Sequence, residues 1–426
     1  MKTIEFPSLY RVEQHFDQTS VVDVAAEVRQ RFAAFQPGVC VTPGQRVAVC
    51  VASRGTHDLV TLVKTTIECL MKMGLAPFII PAMGSHGGGS GQGQRMVLKE
   101  LGITEETMGA PITATRETVS LGRLDSGAEI FFARDALAAD HLMVINRVKP
   151  HTAFRGEVES GLCKMLAVGC GRQRGALNMH KYDLGRTIVP AAELILAKIP
   201  VIAGLAVTET ALGGTHSIRL AHPDEFEKTD RELLEEAWDL LPRLPIDDLD
   251  ILIVEEMGKN ISGAGMDPNV IGFWRREGGE RWPDYRCLVL LDLTAASHGN
   301  AHGIGMADLI TRRVWNMVDP KATYLNALTS GVLRAGRLPV PMNDDRQALE
   351  QALNMLPRAL DARMARIRNT SNLKTFWVSR ALLPELTAKS SLTVVNSPLG
   401  LVFDESGRLL PADPLPLSHE GHSGLS

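Results

Sequence analysis

Side chains suited to acid–base or metal chemistry lie in or beside glycine-rich loops of this sequence. Histidine exchanges a proton near neutral pH and is the commonest metal ligand in proteins. Glycine lets the backbone approach a bulky bound group closely. Lys164 follows His151 by thirteen residues and precedes His180 by sixteen. The pattern predicts a site for a large ligand that uses acid–base chemistry, with a metal ion as a further candidate. The four residues are His86, His151, Lys164 and His180.

The loop of His86 joins a predicted strand to a predicted helix at 92–101. Its glycines do not match the G-x-G-x-x-G spacing of dinucleotide-binding folds. The backbone amides at the start of the helix nevertheless suit a phosphate group. A flexible surface turn is the alternative interpretation, but we expect this loop to bind a cofactor. The residues expected to contact the cofactor are Gly84, Ser85, Gly87 and Gly88.

Cationic side chains near these loops are candidates for binding an anionic substrate. Arg54 comes just after an apolar run, where a guanidinium can hold a carboxylate or phosphate through two parallel hydrogen bonds. A solvated surface arginine is an equally good interpretation of Arg54. Lys149 lies in a short loop with two other basic residues, Arg147 and His151, which indicates a solvated surface or an anion site. Lys164 opens an apolar stretch, and composition alone leaves its role open.

The elements that must position these residues alternate between strand and helix. Near-continuous apolar runs predict buried strands at 46–52, 76–81, 141–145 and 201–207. Apolar residues at helical spacing predict helices at 58–73, 92–101 and 187–198, the last with Pro190 in its first turn. This alternation predicts an α/β fold with largely parallel sheets. The loops of His86 and His151 follow the carboxyl ends of strands, where open α/β sheets bind ligands, so we expect both histidines in one pocket.

A change of pattern after an acidic helix at 226–241 indicates a second domain. The proline-rich segment 242–245 breaks the helix, and new strands are predicted at 251–254 and 287–291. We therefore predict an N-terminal catalytic and cofactor domain at 1–245 and a C-terminal α/β domain at 246–426. Glycine loops at 258–267 and 297–305 belong to the second domain, and the sequence assigns them no role. Glycine loops in both halves lead us to expect the cofactor site in a cleft between the domains.

Composition excludes several classes of function. The chain has 426 residues and a net charge of −4, which gives no basic face for nucleic acid. No run approaches the roughly 20 apolar residues that span a bilayer, and the first residues lack the apolar core of a signal peptide. The six cysteines contain no Cys-x-x-Cys pair, which argues against zinc clips and iron–sulfur clusters. We expect a cytoplasmic protein with buried thiols and no membrane or nucleic-acid partner.

Several separate motifs, in order along most of the chain, resemble the nickel-dependent lactate racemase superfamily and specifically its 2-hydroxyacid racemase and epimerase homologues. The resemblance implies a nickel-pincer nucleotide, which is a pyridinium mononucleotide that holds nickel between two sulfurs and a carbon. It also implies dependence on the enzymes that synthesise this cofactor. The similar segments are 53–55, 81–88, 147–152, 159–166, 258–263 and 298–300, together with His180.

The resemblance also implies roles for individual residues. Lys164 corresponds to the lysine that joins the cofactor through a thioamide, and His180 to the histidine that binds nickel. His86 and His151 correspond to the two histidines that handle protons, and Arg54 to the arginine that binds the substrate carboxylate. Gly87 replaces an arginine of the classic lactate racemase, and the loop between His151 and Lys164 is three residues longer. These departures leave the identity of the 2-hydroxy acid open.

The implied reaction is physically coherent. Removing the α-hydrogen of a 2-hydroxy acid as hydride avoids a carbanion beside a carboxylate. Inversion then requires one base on each face of the substrate, each with a pKa near the operating pH. The expected activity is that of a racemase or 2-epimerase acting on a 2-hydroxy acid. The alternatives are a non-catalytic protein that binds a nucleotide or an organic acid, and a nicotinamide-using oxidoreductase.

Overall fold

A computed structural model describes residues 4–38, 40–53 and 55–412 of the chain. These residues form two compact units. The central unit contains residues 16–241, and the flanking unit contains the described residues up to His15 and from Pro242 onward. Along the chain, the two units divide between His15 and Phe16 and between Leu241 and Pro242.

Both units are built from strands and helices in alternation. In chain order the strands are β1 (Leu9–Gln14), β2 (Arg46–Val51), β3 (Ala76–Pro81), β4 (Thr118–Arg123), β5 (Glu129–Ala133), β6 (His141–Arg147), β7 (Val201–Glu209), β8 (Thr215–Ala221), β9 (Asp248–Val254), β10 (Asp284–Leu290), β11 (Leu309–Thr311), β12 (Val340–Met342), β13 (Met364–Ile367), β14 (Thr375–Ser379) and β15 (Leu392–Leu399). The α-helices are α1 (Val24–Ala34), α2 (Leu59–Lys72), α3 (Gly91–Glu100), α4 (Glu105–Met108), α5 (Gly161–Lys164), α6 (Arg172–Met179), α7 (Leu184–Leu196), α8 (Phe226–Leu240), α9 (Pro268–Ile271), α10 (Trp274–Glu277), α11 (Arg312–Met317), α12 (Pro320–Ser330), α13 (Asp345–Asn354) and α14 (Leu383–Thr387).

The sheet of the central unit has the strand order β3-β2-β6-β7-β8. The first four strands are parallel and β8 is antiparallel to β7. Val49 of β2 pairs with Ile79 on one side and Met143 on the other. Strand β2 is buried from Val47 to Val51, because helices cover both faces of the parallel sheet. The chain leaves β2 toward β3 and later returns to its other side with β6. The carboxyl ends of β2 and β6 therefore border the crevice at which such sheets bind ligands.

Helix α7 begins earlier than the sequence predicts. The Asp183 side chain accepts a hydrogen bond from the amide of Gly185, so the helix starts at Leu184 rather than at Thr187. Pro190 consequently lies inside the helix and not in its first turn, which corrects the prediction. The missed signal is the N-cap itself, because apolar spacing alone does not reveal where a helix begins.

The sheet of the flanking unit has the order β12-β11-β10-β9-β13-β14-β1-β15. The pairs from β12 to β13 in this order are parallel, so Leu252 of β9 lies beside Leu288 of β10 and Ala365 of β13. The remaining pairs are antiparallel, and β1 lies between β14 and β15. The fold is thus mixed α/β with largely parallel sheets, and the predicted fold class is confirmed.

Five of the cysteines are buried thiols, and Cys40 is exposed. All six are free of disulfides. Within 4–38, 40–53 and 55–412, no helix combines the length and apolar character needed to cross a membrane.

Candidate functional site

The carboxyl edge of the central sheet gathers the predicted site loops. Ser53 follows β2, His86 follows β3, and His151 follows β6. These three strands are parallel neighbours, so their ends meet at one edge. The hydroxyl of Ser53 shares a hydrogen bond with Nδ1 of the exposed His86 ring. Sequence analysis named Ser53 only as part of a motif, whereas the structure makes it a partner of a predicted base.

The glycines beside His86 give its loop a shape that few other residues permit. Gly87 and Gly88 have φ angles of 63° and 64°, in the left-handed region. A Cβ on Gly87 would lie 2.5 Å from the carbonyl carbon of Gly93, whereas a Cβ on Gly88 would enter open space. The side chain of Ser90 caps helix α3 by accepting from the amide of Gly93 at 3.0 Å. Gly87 is therefore required for packing against α3, while exposed Gly88 and Ser85 remain available to a ligand.

A network of buried polar side chains holds the backbone of the His86 loop in place. Gln94 donates through Nε2 to the carbonyl oxygens of Gly84 at 3.0 Å and His86 at 3.4 Å. Its Oε1 accepts from Arg172 Nη1 at 2.8 Å. Arg172 is 1% exposed and donates to both carboxylate oxygens of Asp135, at 2.9 and 2.7 Å. Because Arg172 lies between Lys164 and His180 in the chain, this network ties the His86 loop to the segment that carries the other two site residues.

The His151 loop is held by its own backbone and by Glu159. The amide of His151 donates to Glu159 Oε2 at 2.7 Å, and the amide of Ala153 donates to His151 Nδ1 at 3.1 Å. Nδ1 of His151 is thus an acceptor, and in a neutral ring the hydrogen resides on Nε2. Burial raises the pKa of the Glu159 carboxyl, whose side chain is 3% exposed.

Phe154 and Glu159 bring Lys164 close to His151. The His151 and Phe154 rings are 4.3 Å apart between centroids, and Lys164 Nζ lies 4.9 Å from the Phe154 ring. Lys164 Nζ also donates to the carbonyl oxygen of Glu159 at 3.1 Å. The structure therefore places the predicted tether lysine and a predicted base around the same two residues. Sequence analysis did not assign a role to either Phe154 or Glu159.

The short helix that ends at Lys164 depends on a residue from α8. Asp230 is fully buried and accepts from the amides of Leu162 and Cys163, both at 2.8 Å. A Cβ on Gly161 would lie 2.0 Å from Asp230 Oδ1, so the carboxylate fills the space of a side chain. Burial raises the pKa of Asp230 to about 7. The helix continues directly into a wider π-helical turn at Met165–Gly169, a distortion that is frequent at functional sites.

His180 lies at the C-terminal end of α6, with its side chain open to solvent. Partial loss of hydration lowers the pKa of the ring, and the positive charge of Lys164 lowers it further. Both effects favour the neutral imidazole, which is the form that binds a metal. The described part of the chain contains no group of three or more histidine, cysteine or acidic side chains placed to hold a metal. A metal at His180 would therefore need most of its ligands from a bound group.

Of the two residues predicted to bind an anion, the structure describes Lys149 only. Lys149 is exposed, and its backbone amide and carbonyl both bond to the Ser160 hydroxyl at 2.7 Å. The neighbouring Arg147 pairs with Glu209, so the loop is less cationic than its sequence suggests. Arg54 lies outside the described residues. A cavity of about 600 Å³ is lined in part by residues 155–157, which follow the His151 loop. None of the predicted site residues lines this cavity.

Comparison with known proteins shows a similarity of fold. No protein-family model matches this chain, and no curated protein matches it. The structure of the lactate racemase apoprotein from Thermoanaerobacterium thermosaccharolyticum is similar with a TM-score of 0.54 and 12% sequence identity, over 85% of this chain and 99% of that one. A protein from Thermotoga maritima shows a TM-score of 0.46 and 15% identity, over 63% of this chain and 70% of that one. The first of these similarities shows that the fold is shared.

Proposed function

We propose that this chain is a racemase or 2-epimerase of a 2-hydroxy acid that works with a nickel-pincer nucleotide. The observation that carries the proposal is the arrangement of His151 and Lys164 around Phe154 and Glu159. A second network, through Arg172, ties the His86 loop to the same segment. The fold shared with the lactate racemase apoprotein supports a racemase-like activity.

The residues present fit such a cofactor. Lys164 is half-buried at the edge of the site, and its charge acts on His180. We propose that Lys164 holds the nucleotide through a thioamide and that neutral His180 binds its nickel. A single histidine suits a metal whose other ligands come from the cofactor. When bound, the group supplies an acceptor for the hydride of the substrate.

The two proposed bases have different hydrogen-bonding partners. The amide of Ala153 can only donate, so it favours a neutral His151 that presents Nε2–H to a substrate oxygen. The Ser53 hydroxyl can donate or accept, so it supports either neutral tautomer of His86. His86 is therefore suited to accept the hydroxyl proton of one enantiomer while His151 donates a hydrogen bond. For the other enantiomer, His151 must accept the hydroxyl proton at Nε2, which requires the tautomer with its hydrogen on Nδ1 and the loss of the bond from the Ala153 amide.

The proposal also covers the residues that bind the substrate, the source of the cofactor and the cellular compartment. We propose that Lys149 and Arg54 bind the carboxylate of the 2-hydroxy acid. Separate biosynthesis enzymes would supply the cofactor. We place the protein in the cytoplasm, where reducing conditions keep buried thiols such as Cys50 and Cys163 free.

The proposed tether is tested by intact mass of protein made in a host that produces the cofactor. The wild-type chain should carry an added mass that Lys164→Ala abolishes. Lys181→Ala is the matched control, because this exposed lysine is adjacent to His180 and should keep the adduct. An adduct that survives Lys164→Ala would refute the assignment.

A further inference from the structure

The flanking unit contains a cavity of about 780 Å³ at the carboxyl edge of its sheet. Strands β9 and β13 are neighbours there, although the chain runs from β9 to β10 on the other side. This is the topological switch point of the parallel part of the sheet, the position at which open α/β sheets bind ligands. The volume lies within the range of small-molecule sites. Residues that line the cavity include Glu255, Glu256, Arg366, Arg368, Lys374 and Trp377.

The carboxylates around this switch-point cavity are already bound by donors. Glu255 accepts from Arg366 Nε at 2.6 Å. Glu256 accepts from Asn369 Nδ2 at 2.8 Å and from Arg368 Nε at 3.3 Å. Arg366 is 2% exposed and also donates to the carbonyl oxygen of Leu410 at 2.9 Å. The carboxylates of Glu255 and Glu256 are thus satisfied within the fold and leave little capacity to bind a cation.

Further acidic side chains of the lining are bound in the same way. Asp345 is buried and accepts from Arg313 Nη2 at 3.0 Å and from the amide of Leu409 at 2.9 Å. Asp292 accepts from Arg313 Nε at 3.0 Å and from Arg408 Nη2 at 3.3 Å. Each of these carboxylates therefore already has the cationic partner that its charge requires.

The cations of the lining, in contrast, retain unused donors. Among the described residues, the ammonium group of Lys374 forms no hydrogen bond or ion pair, and the side chain is exposed. Arg368 bonds through Nε alone, its side chain is 51% exposed, and its terminal nitrogens form no hydrogen bond with the described residues. Trp377 adds an apolar surface to the same cavity. Unused ammonium and guanidinium donors beside an aromatic ring are the features that recognise an anionic oxygen group on a small organic molecule.

We propose that the switch-point cavity binds a small organic anion, with Lys374 and Arg368 as its direct contacts. The anionic group is a carboxylate or a phosphate. This site belongs entirely to the flanking unit, and it does not depend on the function proposed for the central unit.

The test is isothermal titration calorimetry of the full chain with succinate and, separately, with phenyl phosphate. At least one of these anions should bind saturably, and the one that binds identifies the anionic group. Lys374→Ala and Arg368→Ala should each weaken binding about tenfold or more. Charge reversal in Lys374→Glu should abolish it. Lys321→Ala, which removes an exposed lysine outside the cavity lining, is the matched control and should leave the affinity unchanged.

Two results would overturn the proposal. One is the absence of saturable binding by either anion. The other is binding whose affinity is the same in wild type, Lys374→Ala and Arg368→Ala, because the anion would then bind elsewhere in the chain. Both substituted side chains are exposed, so thermal unfolding should show folded variants and the comparison remains interpretable.

Discussion

Gln94 and Arg172 are joined by a hydrogen bond of 2.8 Å from Nη1 of the arginine to Oε1 of the glutamine. Gln94 is 1% exposed, and its Nε2 donates hydrogen bonds to two carbonyl oxygens of the His86 loop. Arg172 belongs to α6, whose far end carries His180. The pair therefore connects the His86 loop to the helix that leads to His180, and because both side chains are buried we infer that Gln94 is a positioning residue.

Replacing Gln94 by leucine should loosen the His86 loop. The variant keeps the approximate volume but leaves the Gly84 carbonyl without its partner. The His86 carbonyl keeps only the amide of Gly89, and Arg172 Nη1 keeps only the carbonyl of Pro81. We expect a loss of about 1–3 kcal/mol in the free energy of unfolding. We also expect a fall in kcat that exceeds the change in KM, while the cofactor adduct on Lys164 is retained.

The control for this variant is Gln92→Leu, which changes an exposed glutamine on the same helix. Racemisation kinetics and chemical denaturation of both variants measure the difference. Equal kcat values for the two variants would show that Gln94 serves the fold alone.

Two adjacent glycines allow a matched comparison in the His86 loop. Gly88→Ala should cost about 1–2 kcal/mol of stability, because only the left-handed backbone conformation opposes it. Gly87→Ala should cost more, since its Cβ would also meet the backbone of Gly93 at 2.5 Å. Thermal unfolding of the two variants measures the difference. A Gly88 variant as unstable as the Gly87 variant would contradict the packing argument.

Asp230 should make stability depend on pH. Its carboxyl has a pKa of about 7 in the fold, against an ordinary value of 3.8, so the folded state binds the proton more tightly. The stability linked to this proton is fully present below pH 3.8 and is lost as the pH rises toward 7. The contribution to the slope is at most about 1.4 kcal/mol per pH unit.

Asp230→Asn should remove this contribution, because the amide does not titrate. Denaturation curves of wild type and variant between pH 4 and 8 provide the measurement. Parallel pH profiles for the two proteins would show that Asp230 does not titrate in this range.

Variants of His86 and His151 test whether the chain is an enzyme or a non-catalytic binding protein. If each histidine serves one face of the substrate, alanine at either position should reduce racemisation by about 10²–10⁴-fold. Each variant should retain nickel, because neither histidine is the proposed metal ligand. The assay is racemisation of a panel of 2-hydroxy acids, including sugar acids, by nickel-loaded protein. Near-wild-type turnover in either variant would refute the two-base assignment, and an inactive wild type would favour the binder.

The buried parallel strands were the most predictable part of the fold. Strand β3 has the bounds that its apolar run predicts, 76–81, because a strand covered on both faces is apolar at nearly every position. The loops that follow such strands were predictable for the same reason. Strand β1 was not predicted, since it is only partly buried and its partners lie at 375–379 and 392–399. Nothing local in the sequence signals a pairing of that length.

The supporting residues of the candidate site were unpredictable for a related reason. Asp230 caps the helix of Lys164 from a position 67 residues beyond Cys163. Arg172 reaches Asp135 across 37 residues. Buried polar contacts of this kind are created by the tertiary fold, whereas the histidines and glycines of the loops stand out in the sequence.

The position of β1 has a consequence for how the chain folds. The central unit is an insertion between β1 and the rest of the flanking unit. Domains generally fold as units during synthesis. The central unit can therefore fold before β14 and β15, the pairing partners of β1, have been synthesised. Until then β1 exposes unpaired strand edges that can pair with another chain. Deleting residues 4–15 would leave the facing edges of β14 and β15 without a partner, so this variant should aggregate, whereas residues 16–241 expressed alone lack these edges.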